Sequence, residues 1–359
     1  LILPFLFVMI VLNLYNRLQR KAMAVTIRDI AKKAGVSPST VSRVITGKSV
    51  ISAETREKIF SVMEDLDFHP NSLARNLAKG NSQAIALVID AQDKKAFSNQ
   101  YFTHSVFGIE RITQSKGFNL IITNNNKNGL TPVEQLIFEK KADGIILPPS
   151  LITPKLLKKL INQNFPFVVL GEPSYMRNDI SWVDVNNAQG SESAVKHFFK
   201  KGYHSIAFIG ESQRQIFTKN RIAGFCRALE EQGIKPNEDF IIESDGSYEE
   251  ADQITKKLLQ KRDHPDSFLC SDNTIAFGVL KAVKAGGMQI PRDIGIITFD
   301  NYPLAQFTEP TLTSIDIDTY LLGEQAASAL FQAIENNANS QQILVSTRLF
   351  ERESTNREH

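Results

Sequence analysis

The stretch VTIRDIAKKAGVSPSTVSRVITGKSVISAETREKIFSVMEDLDFHP, residues 25–70, decides the architecture of the N-terminal region. Ile27, Ile30, Ala31 and Ala34 recur at helical spacing, and Thr26 stands where an N-cap hydroxyl belongs. Gly35, free to take a positive φ, predicts the end of that helix. Ser37 caps a second helix with Pro38 at its first position, where no amide hydrogen is needed. Val41, Val44 and Ile45 form the apolar side of this helix. A third follows Ser52, from about Ala53 to Leu66, with Ile59, Val62, Met63 and Leu66 as its buried face. Two short helices joined at a glycine and braced by a third make a helix-turn-helix plan.

The polar positions give that plan a purpose. The second helix turns Ser39, Thr40, Ser42 and Arg43 outward, and such side chains read base edges and phosphates in a major groove. The formal net charge of +2 conceals an uneven distribution: residues 1–22 carry +3, residues 23–80 carry +3, and the remaining 279 carry −4. Five of the six acids within 23–80 lie in 54–67, on the bracing helix, which leaves the reading side basic. The plain alternative is a helical bundle with a solvated basic face.

TIRDIAKKAGVSPSTVSRVITG (26–47) and VISAETREKIFSVMEDLDFHPNSLARNL (50–77) together are similar to the DNA-binding headpiece of the LacI/GalR family of bacterial transcription regulators. The resemblance implies base reading by Pro38, Ser39 and Arg43. It implies phosphate contacts by Thr26, Ser37, Ser42 and Thr46. Pro38 has no amide hydrogen, so it offers only apolar contact, for example to a thymine methyl. In NSLARNLAKGNS (71–82), residues 71–80 read as a weak helix ending at Gly80, marginal on its own in water. The same resemblance implies that this segment folds on the operator as one of a pair of hinge helices. Leu77 is then a minor-groove wedge and Arg75 a groove or phosphate contact.

From Ala84 the pattern changes. AIALVID (84–90), FNLIIT (118–123), DGIILP (143–148) and FPFVVLG (165–171) read as buried parallel strands with helices between them. SIAFIG (205–210), a strand near 239–243, DSFLCS (266–271) and DIGIITFD (293–300) repeat the plan. The fold class is therefore a small all-α headpiece plus an α/β core of two doubly wound parallel sheets, with a ligand crevice at the strand ends. The resemblance adds that this core is two-lobed and periplasmic-binding-protein-like, with three crossings expected near 184, 312 and 338. The expected lobes are 81–184 with 313–337, and 185–312 with 338–359.

Enzyme motifs are absent: no GxSxG, HExxH or GxGxxG occurs, and Gly47-Lys48-Ser49 lacks the glycine of a phosphate-binding loop, having Ser42 in its place. The six histidines show no metal spacing. Two cysteines, Cys226 and Cys270, exclude a disulfide scaffold and fit a reducing, cytoplasmic setting. No cofactor, metal or catalytic residue is expected. The polar residues at strand ends point to a sugar site. Arg221 in TKNRIAGF and Asp272 in SDN match effector-contacting positions of the family, although Asp272 would also serve as a helix cap. Asp300 in TFDN is expected nearer the hinge between lobes. Tyr248 and Tyr320 match aromatic ligand walls, and Asn187 and Phe102 are further candidates.

FSNQYFTHSVFGIE, FPFVVLGEP and FFKKGYHSIAFIGESQRQIFTKNRIAGF are most similar, within the family, to maltose-operon repressors of Gram-positive bacteria. That resemblance implies a homodimeric repressor released from double-stranded operator DNA by maltose or a malto-oligosaccharide. Two alternatives stand beside it: a global regulator controlled by a phosphorylated carrier protein, and a membrane-tethered sugar receptor built on residues 1–22. The apolar run LILPFLFVMIVL is short for a bilayer span, and its basic residues follow it rather than precede it. With Met23 directly before the first helix, residues 1–22 are expected to be an upstream extension and no membrane partner is expected.

Overall fold

The computed structural model describes residues 25–46, 51–69, 81–90, 100–124, 131–336 and 339–357. Segment 1–22 and the expected hinge helix 71–80, with Arg75 and Leu77, lie outside the described residues. The chain divides into two compact units at residue 82.

The first unit contains α1 (Ile27–Ala34), α2 (Pro38–Thr46) and α3 (Ala53–Asp65). The Thr26 amide and hydroxyl both donate to Asp29, at 2.9 and 2.6 Å, which closes the first turn of α1. These bonds hold the exposed Asp29 carboxyl below its ordinary range. Gly35 takes φ 67°, the left-handed conformation that ends α1. Ser37 Oγ accepts the Thr40 amide at 3.1 Å to start α2, and Ser52 Oγ accepts the Thr55 amide at 3.3 Å to start α3. Ile30, Ala31, Ala34, Val41, Val44, Ile59, Val62 and Met63 form one buried cluster, to which each helix contributes an apolar stripe, while Ile27, expected in the stripe of α1, is exposed at the start of the helix. Leu66 packs at its edge, partly buried. An ion pair from Lys33 to Asp65, 3.1 Å, links α1 to α3.

The second unit holds two six-stranded sheets. The first has the order β11-β5-β4-β3-β1-β2, built from β1 (Ala84–Ile89), β2 (Asn119–Asn124), β3 (Gly144–Leu147), β4 (Phe167–Leu170), β5 (Trp182–Val185) and β11 (Gln342–Val345). Its helices include α4 (Gln100–Ser115), α5 (Pro132–Phe138) and α6 (Pro154–Asn162). The second has the order β12-β10-β9-β8-β6-β7, from β6 (Ile206–Gly210), β7 (Ile241–Glu243), β8 (Ser267–Cys270), β9 (Gly295–Phe299), β10 (Thr313–Ile317) and β12 (Thr347–Phe350). With it go α7 (Asn187–Lys200), α8 (Ile216–Glu231), α9 (Tyr248–Leu259), α10 (Asn273–Ala285) and the short α11 (Pro303–Gln306). Among the described residues every strand pairing is parallel except β10 with β12. Alternate strand residues enter different clusters: Phe208 and Leu269 join an apolar core shared with the first sheet, while Ala207, Ile209, Phe268 and Cys270 face α9 and α10.

The chain passes between sheets after Val185, after Ile317 and after Val345, and α12 (Thr319–Asn336) follows the second passage. The expected crossings near 312 and 338 therefore move. Residues 313–317 continue the second sheet, pairing Ser314 with Thr298, and residues 342–345 join the first, pairing Ile343 with Val183. Both strands are short: β10 pairs with β9, the strand just before it, and β11 with β5, far back along the chain.

Candidate functional sites

On α2, Val41 and Val44 are buried while Ser37, Pro38, Ser39, Ser42 and Arg43 are exposed. A single helix thus anchors itself by two valines and presents a short polar row with one guanidinium. Thr46 is half-buried and its hydroxyl donates to the Ser42 carbonyl at 2.8 Å. Ser37 Oγ lies 2.7 Å from Ser39 Oγ and 2.8 Å from Thr40 Oγ1, so these hydroxyls form a small network that must reorient to meet a phosphate. The Thr26 hydroxyl is engaged by Asp29 in the same way.

In the core, Arg221 on α8 is buried, near the strand ends where a doubly wound sheet places its ligand crevice. Its Nε donates to Asn187 Oδ1 at 2.9 Å and its Nη1 to the Ser271 carbonyl at 2.6 Å. The guanidinium stacks on Phe299, 3.8 Å from the ring centroid, and faces Phe217 at 5.1 Å. Asn187 opens α7 directly after the first passage between sheets, and its amide also donates to the Val185 carbonyl at 3.2 Å. Arg221 is thereby fixed to the hinge itself.

Carboxylates gather around this cation. Asp272 caps α10, its Oδ1 accepting the Ile275 amide at 2.8 Å, so the capping reading holds and the residue also borders the site. Burial pushes its carboxyl up to about 6, with Glu211 adding to the rise and Arg221 opposing it. Asp300 sits in the left-handed region at φ 68°. Burial raises it to about 7, against the pull of Arg221 and with the support of Asp272 and Glu211. It belongs to the Arg221 cluster as well as lying next to the β10 passage, where its amide donates to the Ile315 carbonyl at 3.0 Å.

The first lobe supplies residues that sequence reading missed. Asp184 accepts the Glu172 and Val185 amides at 3.0 and 2.7 Å, and burial raises it to about 6. Its signal was available, a charged residue inside the apolar strand WVDV. Glu172, buried after β4, accepts from Arg177 at 2.9 Å and from Asn220 Nδ2 on α8 at 2.8 Å. That second bond joins the two lobes. Tyr101 lies within reach of Asp184, Asp300, Arg221 and Tyr302, and burial raises its hydroxyl well above the ordinary tyrosine range. Tyr302 is raised by burial in the same way.

Three expected residues differ. Tyr248 faces Lys281, 4.9 Å from its ring, and its carbonyl packs under Gly278, so the α9–α10 contact holds it rather than the Arg221 cluster. Tyr320 is 38% exposed, beside Arg111 and over Gly108 at the α4–α12 contact. Phe102 packs half-buried on the main apolar core, as does its neighbour Tyr101, which also feels Asp184, Asp300 and Arg221. Among the described residues no group of three or more His, Cys, Asp or Glu is placed to hold a metal, and no helix is long and apolar enough to cross a membrane.

Residues 26–71 match the bacterial regulatory proteins of the lacI family, and residues 195–355 match the periplasmic binding protein-like domain. The HTH-type transcriptional regulator MalR of Streptococcus pneumoniae is 32% identical over 327 residues, covering 89% of this chain and 96% of that protein. Catabolite control protein A of Priestia megaterium is 30% identical over 311 residues, covering 86% and 92%. Among solved structures, the lac repressor dimer bound to operator and the anti-inducer ONPF superposes with a TM-score of 0.76 at 25% identity. That match covers 92% of this chain and 99% of the other.

Proposed function

The chain belongs to the lacI family of bacterial regulatory proteins, as a DNA-binding transcriptional repressor, and from that premise we propose that it controls a sugar-utilisation operon and leaves its operator when maltose or a malto-oligosaccharide enters the crevice. The observation that carries the sugar reading is Arg221. A buried guanidinium stacked on an aromatic ring, tied to the hinge through Asn187 and bordered by carboxylates, offers hydrogen-bond acceptors for hydroxyls beside apolar faces for a sugar ring. The likeness to MalR supports maltose as the first sugar to try.

DNA reading falls to Ser39 and Arg43, with Pro38 in apolar contact and Thr26, Ser37, Ser42 and Thr46 on phosphates. Leu77 of the hinge segment adds a minor-groove wedge, and Arg75 a groove or phosphate contact. The working form is a homodimer, with two recognition helices on a palindromic operator. Exposed Leu304 and Phe307 on and beside α11, 64% and 82% accessible, are the kind of apolar surface a partner subunit covers. A ligand acts on DNA only through its unequal affinity for two lobe arrangements, and the Glu172–Asn220 bond is one contact that such a rearrangement would change. Gel-shift titration of an operator fragment with mono- and oligosaccharides tests the proposal: maltose should release DNA saturably. Release by a phosphorylated carrier protein with no response to any sugar would replace it.

A further inference from the structure

The segment that follows β12 is tied back across the second sheet, and one of its ties is a histidine. Arg352 donates through Nη1 to the Leu312 carbonyl at 2.7 Å and through Nη2 to Asn301 Oδ1 at 2.5 Å, between Asp300 and Tyr302. The Ser354 hydroxyl donates to the Ile296 carbonyl at 2.6 Å and accepts the Thr313 amide at 2.8 Å. Thr355 Oγ1 lies 2.7 Å from Thr313 Oγ1 and 2.8 Å from Nε2 of His197, near the end of α7. Residues 351–357 thus form a strap that joins β9 and β10 to α7, directly after the strand that follows the third passage between sheets.

His197 is 8% exposed, and Thr313 and Thr355 are fully buried. Either neutral tautomer satisfies this hydroxyl chain. As donor, the ring starts a series in which Thr355 donates to Thr313 and Thr313 to the Arg352 carbonyl at 3.1 Å; as acceptor, it takes the Thr355 proton. A positive charge is less well provided for. Nδ1 faces Glu351 at 4.0 Å, beyond hydrogen-bond reach, and Glu351 is already paired with Lys201 Nζ at 2.5 Å. Lys200 and Lys201, at the end of α7, both oppose a charge on the ring. Further charged groups on the strap and on α8 have partners of their own: Glu231 takes Lys196 at 2.9 Å, Glu353 the Thr311 amide at 2.9 Å, and Arg357 the Gly202 carbonyl at 3.0 Å. Burial first, and then the two lysines, outweigh Glu351, so the ring holds a proton less tightly than an ordinary histidine.

We infer that His197 is a proton-sensitive pin: while neutral it holds the strap against α7, and proton uptake lets the strap go. Linkage fixes the direction. Once the strap lifts, the imidazole meets water and takes a proton near pH 6.5, roughly as free histidine does, whereas the closed form does so only at lower pH. Between those values the open form binds more protons, and acidification favours it. Glu351 and Glu353 are held below the ordinary carboxylate range and titrate outside this window. Lifting the strap also unties Asn301, so the pin links proton concentration to the segment that carries Asp300 and Tyr302.

Hydrogen exchange of the full chain tests this, read at the Thr311, Thr313, Arg352 and Ser354 amides, whose bonds cross the strap contact. From pH 7.5 to pH 5.5, after correction for the intrinsic exchange rate, their protection should fall about 5- to 10-fold, the size of effect one linked proton produces. His197→Gln, which keeps a neutral donor and acceptor, should hold protection nearly constant over that range. Thr355→Val should lower protection at both ends of the range, because it cuts the hydroxyl chain itself. Protection in the parent that stays flat or rises on acidification, or a fall just as large in His197→Gln, would overturn the inference. Should His197→Gln fail to fold, the ring titration followed by proton NMR in the parent decides: a pKa below about 6.5 supports the pin, and one at or above it overturns it.

Discussion

The surface of α2 and the crevice around Arg221 are assembled in opposite ways. The row proposed to read DNA is local and mostly exposed: Ser37 to Thr46 are ten consecutive residues, with Thr40 and Thr46 half-buried and Val41 and Val44 holding the helix beneath. The crevice is buried and gathered from distant segments, with Glu172, Asp184 and Asn187 near the first passage, Arg221 on α8, and Asp272 and Asp300 after β8 and β9. A reading surface of this kind depends on which side chains point outward. The crevice depends on each charged group keeping its neighbours, since a buried charge left without its partner is costly.

Substitutions should separate the two regions in that order. Arg221→Met should have the largest effect, raising the sugar concentration for half-release by about 30-fold or more, the range for truncating one member of a buried hydrogen-bonded charge pair. Operator affinity without sugar should stay within a few-fold, as read by fluorescence anisotropy. Arg43→Ala should do the reverse, weakening specific operator binding about 10- to 100-fold through one lost base contact, with calorimetric sugar affinity unchanged. If either variant moves both readouts equally, the division between reading surface and sensor is wrong.

Glu172→Ala breaks the bond between lobes and tests how they are coupled. Operator affinity and sugar affinity should shift in opposite directions by about 5-fold, since linkage makes the coupling reciprocal. A lower thermal midpoint with neither affinity changed would mean that Glu172 only holds its loop.

The smallest effect concerns pH. Asp300, raised to about 7, and Asp184 and Asp272, raised to about 6, hold protons in the folded protein that an unfolded chain would release. Their contribution to stability is complete below the ordinary carboxylate range and is lost as pH climbs through these values. The gain in thermal midpoint from Asp300→Asn over the parent should therefore grow between pH 5 and pH 8. A gain that shrinks with rising pH would show that Asp300 is stabilised in its charged form.

The same contrast explains what could be read from sequence. Thr26, Gly35, Ser37 and Ser52 act within a few residues of themselves, and the structure places each cap where local spacing set it. Most buried strands of both sheets were legible for a related reason, as short apolar runs between turns. The fully buried β5 was not, its run being broken by Asp184, and β2, expected to be buried, is exposed or half-buried along its length. β10, β11 and β12 were not legible either: β11 owes its sheet to β5, far back along the chain, while β10, though paired with the strand just before it, is TSIDI and lacks a continuous apolar run. In the crevice, Arg221, Asn187, Asp272 and Asp300 come together as a set. Glu172 escaped notice because nothing near it in sequence hints at Asn220, a partner 48 positions away. Tyr248 and Tyr320 illustrate the converse: an aromatic at the right place in the chain is turned aside by one helix contact.

If a basic reading helix and a sugar-sensing crevice act as one switch, titrating maltose into the full chain bound to a labelled operator fragment at fixed salt will reveal it. Saturable release of the fragment is expected, with Arg221→Met still bound at sugar concentrations that free the parent. Operator binding that no sugar alters, or release that persists unchanged in Arg221→Met, would contradict it.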